Sequence, residues 1–446
     1  MAKILLYLTP EIGAYNASFC LADEIKKHNH KIVYMGPANF KEYVEKEGFT
    51  FVPYPTNSED DIKKIQDKSQ AIKKMSFLKK RKELKKEQKR LIIKSINEYN
   101  TTIDSINPDL ILLDPLLSAF TISFLQKKIP ILNINTTLAY RFRLTSPSHF
   151  STRIPRDPQF LKNRFMNFIT WISLWGRKTN GILFNWIKKN PIRSLIFVYR
   201  ARRKLSNWKR NVRKFGGNIF WGEYGFRLKL PEIVLAPSEI DTPWNVSFDG
   251  RFYVGACVHQ NRKEIQFDNE ILLESDKPLV YCAFGTYSKG YPHALHLINV
   301  LIDSFRSRPQ YNLLIQIDES ITPHINKELP DNIFIAKFVP QLKILKQATC
   351  FITHGGFSSL REACFFGVPL IVFPCWLDQF GNSARVVFHN IGVRGNIKTV
   401  TKGDLDHLFD KVMNDTSIRE SMNKMSAAFH QNESYAKAVE HIERFI

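Results

Sequence analysis

Residues 338–382 read FVPQLKILKQATCFITHGGFSSLREACFFGVPLIVFPCWLDQFGN, and the reading of this stretch decides the fold. Within it, Cys350–Thr353 is a short apolar run of the kind that forms a buried strand. The run ends at His354, Gly355-Gly356 follow, and Ser358 and Ser359 open a helix to about Phe366. Paired glycines permit a sharp turn and a close approach of backbone. A helix N-terminus with serines presents N–H and hydroxyl donors to a phosphate, and His354 stands beside it. One turn into the helix, Glu362 can accept from a sugar hydroxyl. The combination predicts a cradle for a nucleotide diphosphate without a phosphate-loop lysine. Taken alone, Gly-Gly-x-Ser is more often a plain βα turn with capping serines, so the weight falls on the surrounding residues.

Outward from this unit the chain repeats the same alternation. Short apolar runs at Leu279–Phe284, Asn312–Gln316, Ile333–Ala336 and Pro369–Phe373 predict the other strands of one series. An earlier series has strands at Ile4–Leu8, Lys31–Met35, Phe51–Pro55, Asp109–Leu113 and Ile129–Ile134, with a helix over Ser18–Lys27 that buries Phe19, Ala22 and Ile25. Runs at Glu232–Ala236 and Arg251–Gly255 precede a charged, turn-rich linker, Gln260–Asp276. Strands of this kind separated by helices make a parallel, doubly wound sheet. Two such series in 446 residues predict an α/β chain of two Rossmann-like domains facing each other across a cleft. Binding then belongs at the carboxyl ends of the strands.

The chain is strongly basic, with Lys+Arg 64 against Asp+Glu 42 and a formal net charge of +22. That excess points to an anionic partner. It is concentrated in two segments. Residues 61–94 hold 14 basic and 4 acidic side chains, and residues 141–215 hold 19 and 1. The first reads as a long solvated helix over about 61–98. The second is a basic, aromatic helical insertion that includes Trp171, Trp175, Trp186 and Trp208. Its composition suits an interfacial helix on an anionic membrane surface, a lid over a hydrophobic acceptor, or a small helical subdomain with solvated charges. Lys-rich helices are usually solvated faces, and no nucleic-acid recognition pattern accompanies them, so nucleic acid is not an expected partner. The six cysteines (20, 257, 282, 350, 364 and 375) form no CxxC pair, which predicts reduced thiols and a cytoplasmic protein. No run reaches the roughly 18 apolar residues of a membrane-spanning helix.

The 338–382 string as a whole closely resembles the donor-binding signature of the UDP-dependent glycosyltransferases of the GT-B fold, bacterial type. Phe338-Val339-Pro340-Gln341 matches the opening, with Phe where Trp is commonest. The His354 turn, Glu362, Gly367-Val368-Pro369, Pro374 and Asp378-Gln379 follow in the family's order. The resemblance implies that Phe338 stacks on uracil and Gln341 positions the base. It also implies that His354, Gly356, Ser358 and Ser359 hold the diphosphate, Glu362 takes the ribose hydroxyls, and Asp378 and Gln379 hold the donor sugar. Phe284-Gly285-Thr286 matches the family's Phe-Gly-Ser/Thr turn, which implies contacts from Gly285 and Thr286 to phosphate or sugar. The resemblance is strong over about 230–446, fair over 1–55 and 105–137, and absent over 60–100 and 140–215. It implies an acceptor-binding domain over 1–252 and a UDP-sugar-binding domain over 253–430. It further implies a last helix over 431–446 that packs back on the first domain, inversion at the anomeric carbon, and no cofactor or metal beyond the UDP-sugar substrate.

One departure concerns the base. The family pattern after strand one is Gly-His-x-x-Pro, with the histidine deprotonating the acceptor and an aspartate orienting it. Here the segment reads Gly13-Ala14-Tyr15-Asn16-Ala17, so Ala14 stands in place of the histidine. The aspartate matches Asp114. Three explanations stay open. Another carboxylate acts as base, with Glu11 and Asp114 as candidates. The acceptor is acidic or nucleophilic enough to need none. Or the protein is a non-catalytic, membrane-peripheral binder of nucleotide sugars. His149 is a further candidate that no family position supports. Asp404-Leu405-Asp406 is formally a metal-binding DxD, but after Thr401 it reads as a helix cap. No metal site is expected. The acceptor is expected to be a small molecule or a lipid-like hydrophobic compound.

Overall fold

The computed structural model describes residues 1–54, 97–138, 217–222, 225–242, 250–265, 274–285, 293–325, 328–431 and 434–446, with isolated positions between 151 and 214 and at 267 and 272. Most of 61–98 and 141–215 therefore lies outside the described residues.

The first half begins β1 (Lys3–Tyr7), α1 (Ile12–Lys27), β2 (Lys31–Gly36), α2 (Lys41–Lys46) and β3 (Thr50–Pro53). β4 (Leu110–Leu113), α3 (Thr121–Gln126) and β5 (Ile131–Asn135) follow. The hairpin β6 (Ile219–Gly222) and β7 (Gly225–Leu228) leads to β8 (Glu232–Val234) and β9 (Arg251–Tyr253). Seven of these strands form one parallel sheet in the order β3-β2-β1-β4-β5-β8-β9. Residues along β1 alternate between two cores. Ile4 and Leu6 pack with Phe19, Ala22 and Ile25 of α1. Leu5 and Tyr7 pack with Ile103, Ile106 and Phe124 on the other face. A sheet covered on both faces needs continuous apolar strands, which is why β1 and β4 carry no polar alternation.

The second half runs β10 (Leu279–Ala283), α4 (Ala294–Arg306), β11 (Asn312–Gln316), β12 (Ile333–Ala336), α5 (Gln341–Leu345), β13 (Ala348–Thr353), α6 (Phe357–Phe366), β14 (Leu370–Val372), α7 (Gln379–Phe388) and β15 (Gly392–Arg394). Its six strands are parallel in the order β12-β11-β10-β13-β14-β15. Both sheets thus have the doubly wound order, with the switch point between β1 and β4 in one and between β10 and β13 in the other. The chain ends with α8 (Lys402–Asn414), α9 (Thr416–Gln431) and α10 (Tyr435–Glu443). Ala438, Val439 and Ile442 of α10 join the core beneath α1. Glu443 pairs with His30 at 2.9 Å.

The two halves are stitched through buried groups. Arg361 of α6 donates from Nη1 to the Leu235 carbonyl at 2.6 Å. Arg385 of α7 donates from Nη2 to Asp241 Oδ1 at 3.3 Å. Both arginines are 1% exposed.

Three features differ from the sequence expectation. α1 starts at Ile12, not near Ser18, because Ala14, Tyr15 and Ala17 continue its buried face into the supposed loop. β15 has only three residues, Gly392–Arg394, without an apolar run to announce it. The β6–β7 hairpin adds an antiparallel pair beside the sheets. The Asp404-Leu405-Asp406 segment is a cap: Thr401 N donates to Asp404 Oδ2 at 2.9 Å, and Asp404 N donates to Thr401 Oγ1 at 3.2 Å.

Candidate active site

The two switch points face each other across a cleft of about 460 Å³. α1 starts at it from the first half, and α6 and α7 start at it from the second. None of the three carries a side-chain cap on its N-terminal N–H groups. Such helix ends carry a partial positive charge and unmet donors.

At the β13–α6 turn, His354 is 7% exposed and its Nδ1 lies 3.5 Å from the Ala283 carbonyl. Two glycines make room for the ring. A Cβ on Gly285 (φ +74°) would stand 2.8 Å from the imidazole, and one on Gly356 would stand 2.5 Å from Nε2. Burial lowers the His354 pKa to about 4, so the free ring is neutral at pH 7. Ser358 Oγ accepts from Arg361 Nη2 at 3.3 Å and faces the Gly13 carbonyl at 3.5 Å. Ser359 lines the same wall.

Further along, Phe338 is 55% exposed, with Lys337 Nζ over its ring at 5.6 Å. Glu362, one turn into α6, is buried, and both its oxygens are engaged. Oε1 accepts from Arg262 Nη1 at 2.6 Å and Oε2 from Gln341 Nε2 at 2.5 Å. At the α7 end, Asp378 Oδ2 accepts from Asn382 Nδ2 at 3.1 Å. Burial first, and the Glu11 carboxylate second, raise the Asp378 pKa to about 7. Gln379 Oε1 accepts from the Cys375 and Trp376 N–H groups at 2.8 and 2.9 Å, so this side chain shapes the loop before α7.

Glu11 is the N-cap residue of α1 and opens into the cleft. The surrounding protein and then the Asp114 charge raise its pKa. Asp114 departs from its expected place. It is 2% exposed and does not line the cleft, because its carboxylate turns to the Leu116 and Thr9 N–H groups at 2.8 and 3.4 Å. Ala14 forms part of the cleft wall. Thr286 and His149 lie outside the described residues. Every other residue expected at the site meets in this one cleft. Among the described residues no three metal-capable side chains converge. No helix among them is long and apolar enough to cross a membrane.

Sequence reasoning missed several cleft residues. Arg262 and Glu264 come from the segment read as a plain linker, and Tyr43, whose hydroxyl donates to Asn16 Oδ1, comes from α2. Only an acidic and basic pair within Arg262-Lys263-Glu264 was visible in the sequence, and nothing local ties it to Glu362, 100 positions away.

Comparison with known proteins fits this geometry. The family described as UDP-glucoronosyl and UDP-glucosyl transferase matches residues 4–444. An NDP-glycosyltransferase of Bacillus licheniformis is 29% identical over 46% of this chain and 50% of its own. The chain thus spans about half the length of the first curated relatives it matches. Demethyllactenocin mycarosyltransferase of Streptomyces fradiae is 21% identical over 99% of this chain and 86% of its own. Among solved structures, the glycotransferase of kitacinnamycin covers 100% of this chain and 99% of its own at 18% identity, with a TM-score of 0.68. The spinosyn rhamnosyltransferase complexed with thymidine diphosphate covers 99% of this chain and 100% of its own at 14% identity, with a TM-score of 0.62. At these identities the solved structures establish the two-sheet GT-B fold.

Proposed function

We propose, from the premise that the chain belongs to the UDP-glucoronosyl and UDP-glucosyl transferase family, that it is an inverting glycosyltransferase which moves a hexose from a UDP-sugar to a small-molecule or lipid-like apolar acceptor. The observation that carries this reading is the pairing of opposite walls. An uncapped α6 N-terminus with His354 faces a cleft whose other side presents the Glu11 carboxylate. The first wall suits a diphosphate, and the second suits a proton acceptor.

In this reading Phe338 stacks on the base, Glu362 accepts from the ribose, and Asp378 accepts from the sugar. Glu11 removes the proton from the acceptor hydroxyl. The acceptor oxygen forms its bond to C1 as the C1–O bond to UDP breaks, and the electron pair leaves with the diphosphate. Ser358, Ser359 and the α6 N–H groups offset that charge, so the step is written without a metal. Asp114 acts from behind, raising the basicity of Glu11 and fixing the turn after β4.

Acceptor-dependent UDP release tests the reading, with UDP-glucose and UDP-N-acetylglucosamine against phenolic, amine and long-chain acceptors. Glu11→Gln is expected to lower kcat by about 10²–10³ and leave UDP affinity within about twofold, the usual scale for a lost general base. Loss of turnover in Asp114→Asn alone would transfer the role to Asp114. UDP binding without acceptor-dependent release would replace the transferase reading with one of a binding protein.

A further inference from the structure

The segment before β10 does more than join the halves. His259 Nε2 sits 3.0 Å from Asp23 of α1. The Lys263 N–H donates to Glu47 Oε1, just past α2, at 2.9 Å. Glu264 accepts from the Leu342 and Lys343 N–H groups of α5 at 3.0 and 3.3 Å. Residues 259–264 are thus a strap pinned to the first half at one end and to the second half at the other. Between these anchors Arg262, with a side chain 8% exposed, forks between two carboxylates. Nη1 meets Glu362 Oε1 at 2.6 Å, and Nη2 meets Glu264 Oε1 at 3.0 Å.

We infer that Arg262 is a positioning residue that makes Glu362 selective for ribose over deoxyribose. The inference rests on the donor reading above. A carboxylate has about four lone-pair sites, and here one is taken by Arg262 and one by Gln341. Two sites are left for the two vicinal hydroxyls of a ribonucleotide. Without Arg262 the carboxylate keeps only the Gln341 amide of this pair and is free to rotate off the ribose. The guanidinium is itself held by Glu264 through Nε and Nη2, so its Nη1 grips Glu362 Oε1 from a fixed direction, which a flexible ammonium cannot do. Because the strap is also anchored on α1 and α2, the ribose contact is held by residues of both halves.

The test is binding of UDP and of 2′-deoxy-UDP by calorimetry, with thermal melts confirming that each variant is folded. A hydroxyl bonded to a charged acceptor is worth about tenfold or more in affinity, so the wild type is expected to prefer UDP by at least that factor. Arg262→Gln is expected to weaken UDP about tenfold and change 2′-deoxy-UDP less than about threefold, so the preference collapses. Arg262→Lys, a second variant that keeps the charge, is expected to fall between. A merely structural role would weaken both nucleotides equally, and an unchanged or larger preference in either folded variant overturns the inference. If the wild type binds neither nucleotide, the donor reading itself is overturned. If it binds UDP and the preference survives substitution, only the role of Arg262 falls.

Discussion

The turn after β1 and the turn after β13 each lie beside the switch point of their own sheet, on opposite sides of it, and each leads into a helix that starts at the cleft. Their chemistry is opposite. α6 begins at Gly356, next to a neutral imidazole, and leaves its N–H groups to an anion. α1 begins at Glu11, a carboxylate backed by a second one at Asp114. Two like helix ends at one cleft would both attract phosphate. In the proposed reading, the acid at one of them places the diphosphate on the α6 side and proton removal on the α1 side. Direction in the cleft therefore comes from one residue at each helix start, not from the sheets.

The comparison depends on the two halves being held in register, and the buried stitches do that. Replacing Arg385 with Met removes a cation from the fully buried Asp241, which still accepts from the Thr242 N–H and the Tyr253 hydroxyl and has Arg251 at a greater distance. Breaking a buried pair from one side costs about 3–5 kcal/mol, and the remaining partners place Arg385→Met near the lower end, about 3 kcal/mol. Chemical denaturation should read that loss. A change under about 1 kcal/mol would mean the halves are held elsewhere.

The α6 side can be broken alone. Gly356 has φ −62° and ψ 136°, which alanine adopts without strain, so Gly356→Ala acts only through the Cβ that would stand 2.5 Å from His354 Nε2. The ring must shift from its place in the cleft. UDP affinity should fall about tenfold, while stability drops by about 1–2 kcal/mol, as for modest overpacking. Calorimetry on the folded variant decides it, and unchanged affinity would remove His354 from the cradle.

Much of this contrast was legible in the sequence, unevenly between the halves. The donor wall lies largely within 45 consecutive residues, where strand, turn and helix start are local features, so His354, Gly356, Ser358 and Ser359 could be placed from order alone. The sequence reading begins the helix at Ser18, and Gly13 and Asn16 by themselves disfavour an earlier start. Packing of Ala14, Tyr15 and Ala17 overrides that propensity. Asp114 was placed at the right strand end, but nothing in the sequence shows that its carboxylate turns to the backbone of Leu116 rather than into the cleft. The Arg262–Glu362 pair joins positions far apart in the chain and has no local pattern to betray it.

The smallest expected effect is the most direct probe of the two walls together. Asp378 on the donor side is raised to about 7, first by burial and then by Glu11 across the cleft. Its folded pKa lies above the ordinary aspartate value, so the native state holds a proton that the unfolded chain has lost. Stability therefore declines as pH rises through about 4–7 and levels off above. Ionised Asp378 is the better acceptor for a sugar hydroxyl, so the affinity gained from the sugar should fade as pH drops through about 7. The ratio of UDP-glucose to UDP affinity isolates that gain, because titration of the diphosphate is nearly common to both ligands. Glu11→Gln removes one of the upward pushes on Asp378, so the midpoint should move to lower pH by a fraction of a unit. The two carboxylates titrate as a pair, so the wild-type midpoint belongs to both. A midpoint that stays put in Glu11→Gln would mean the walls do not sense each other's charge, and the contrast between them would then be one of position alone.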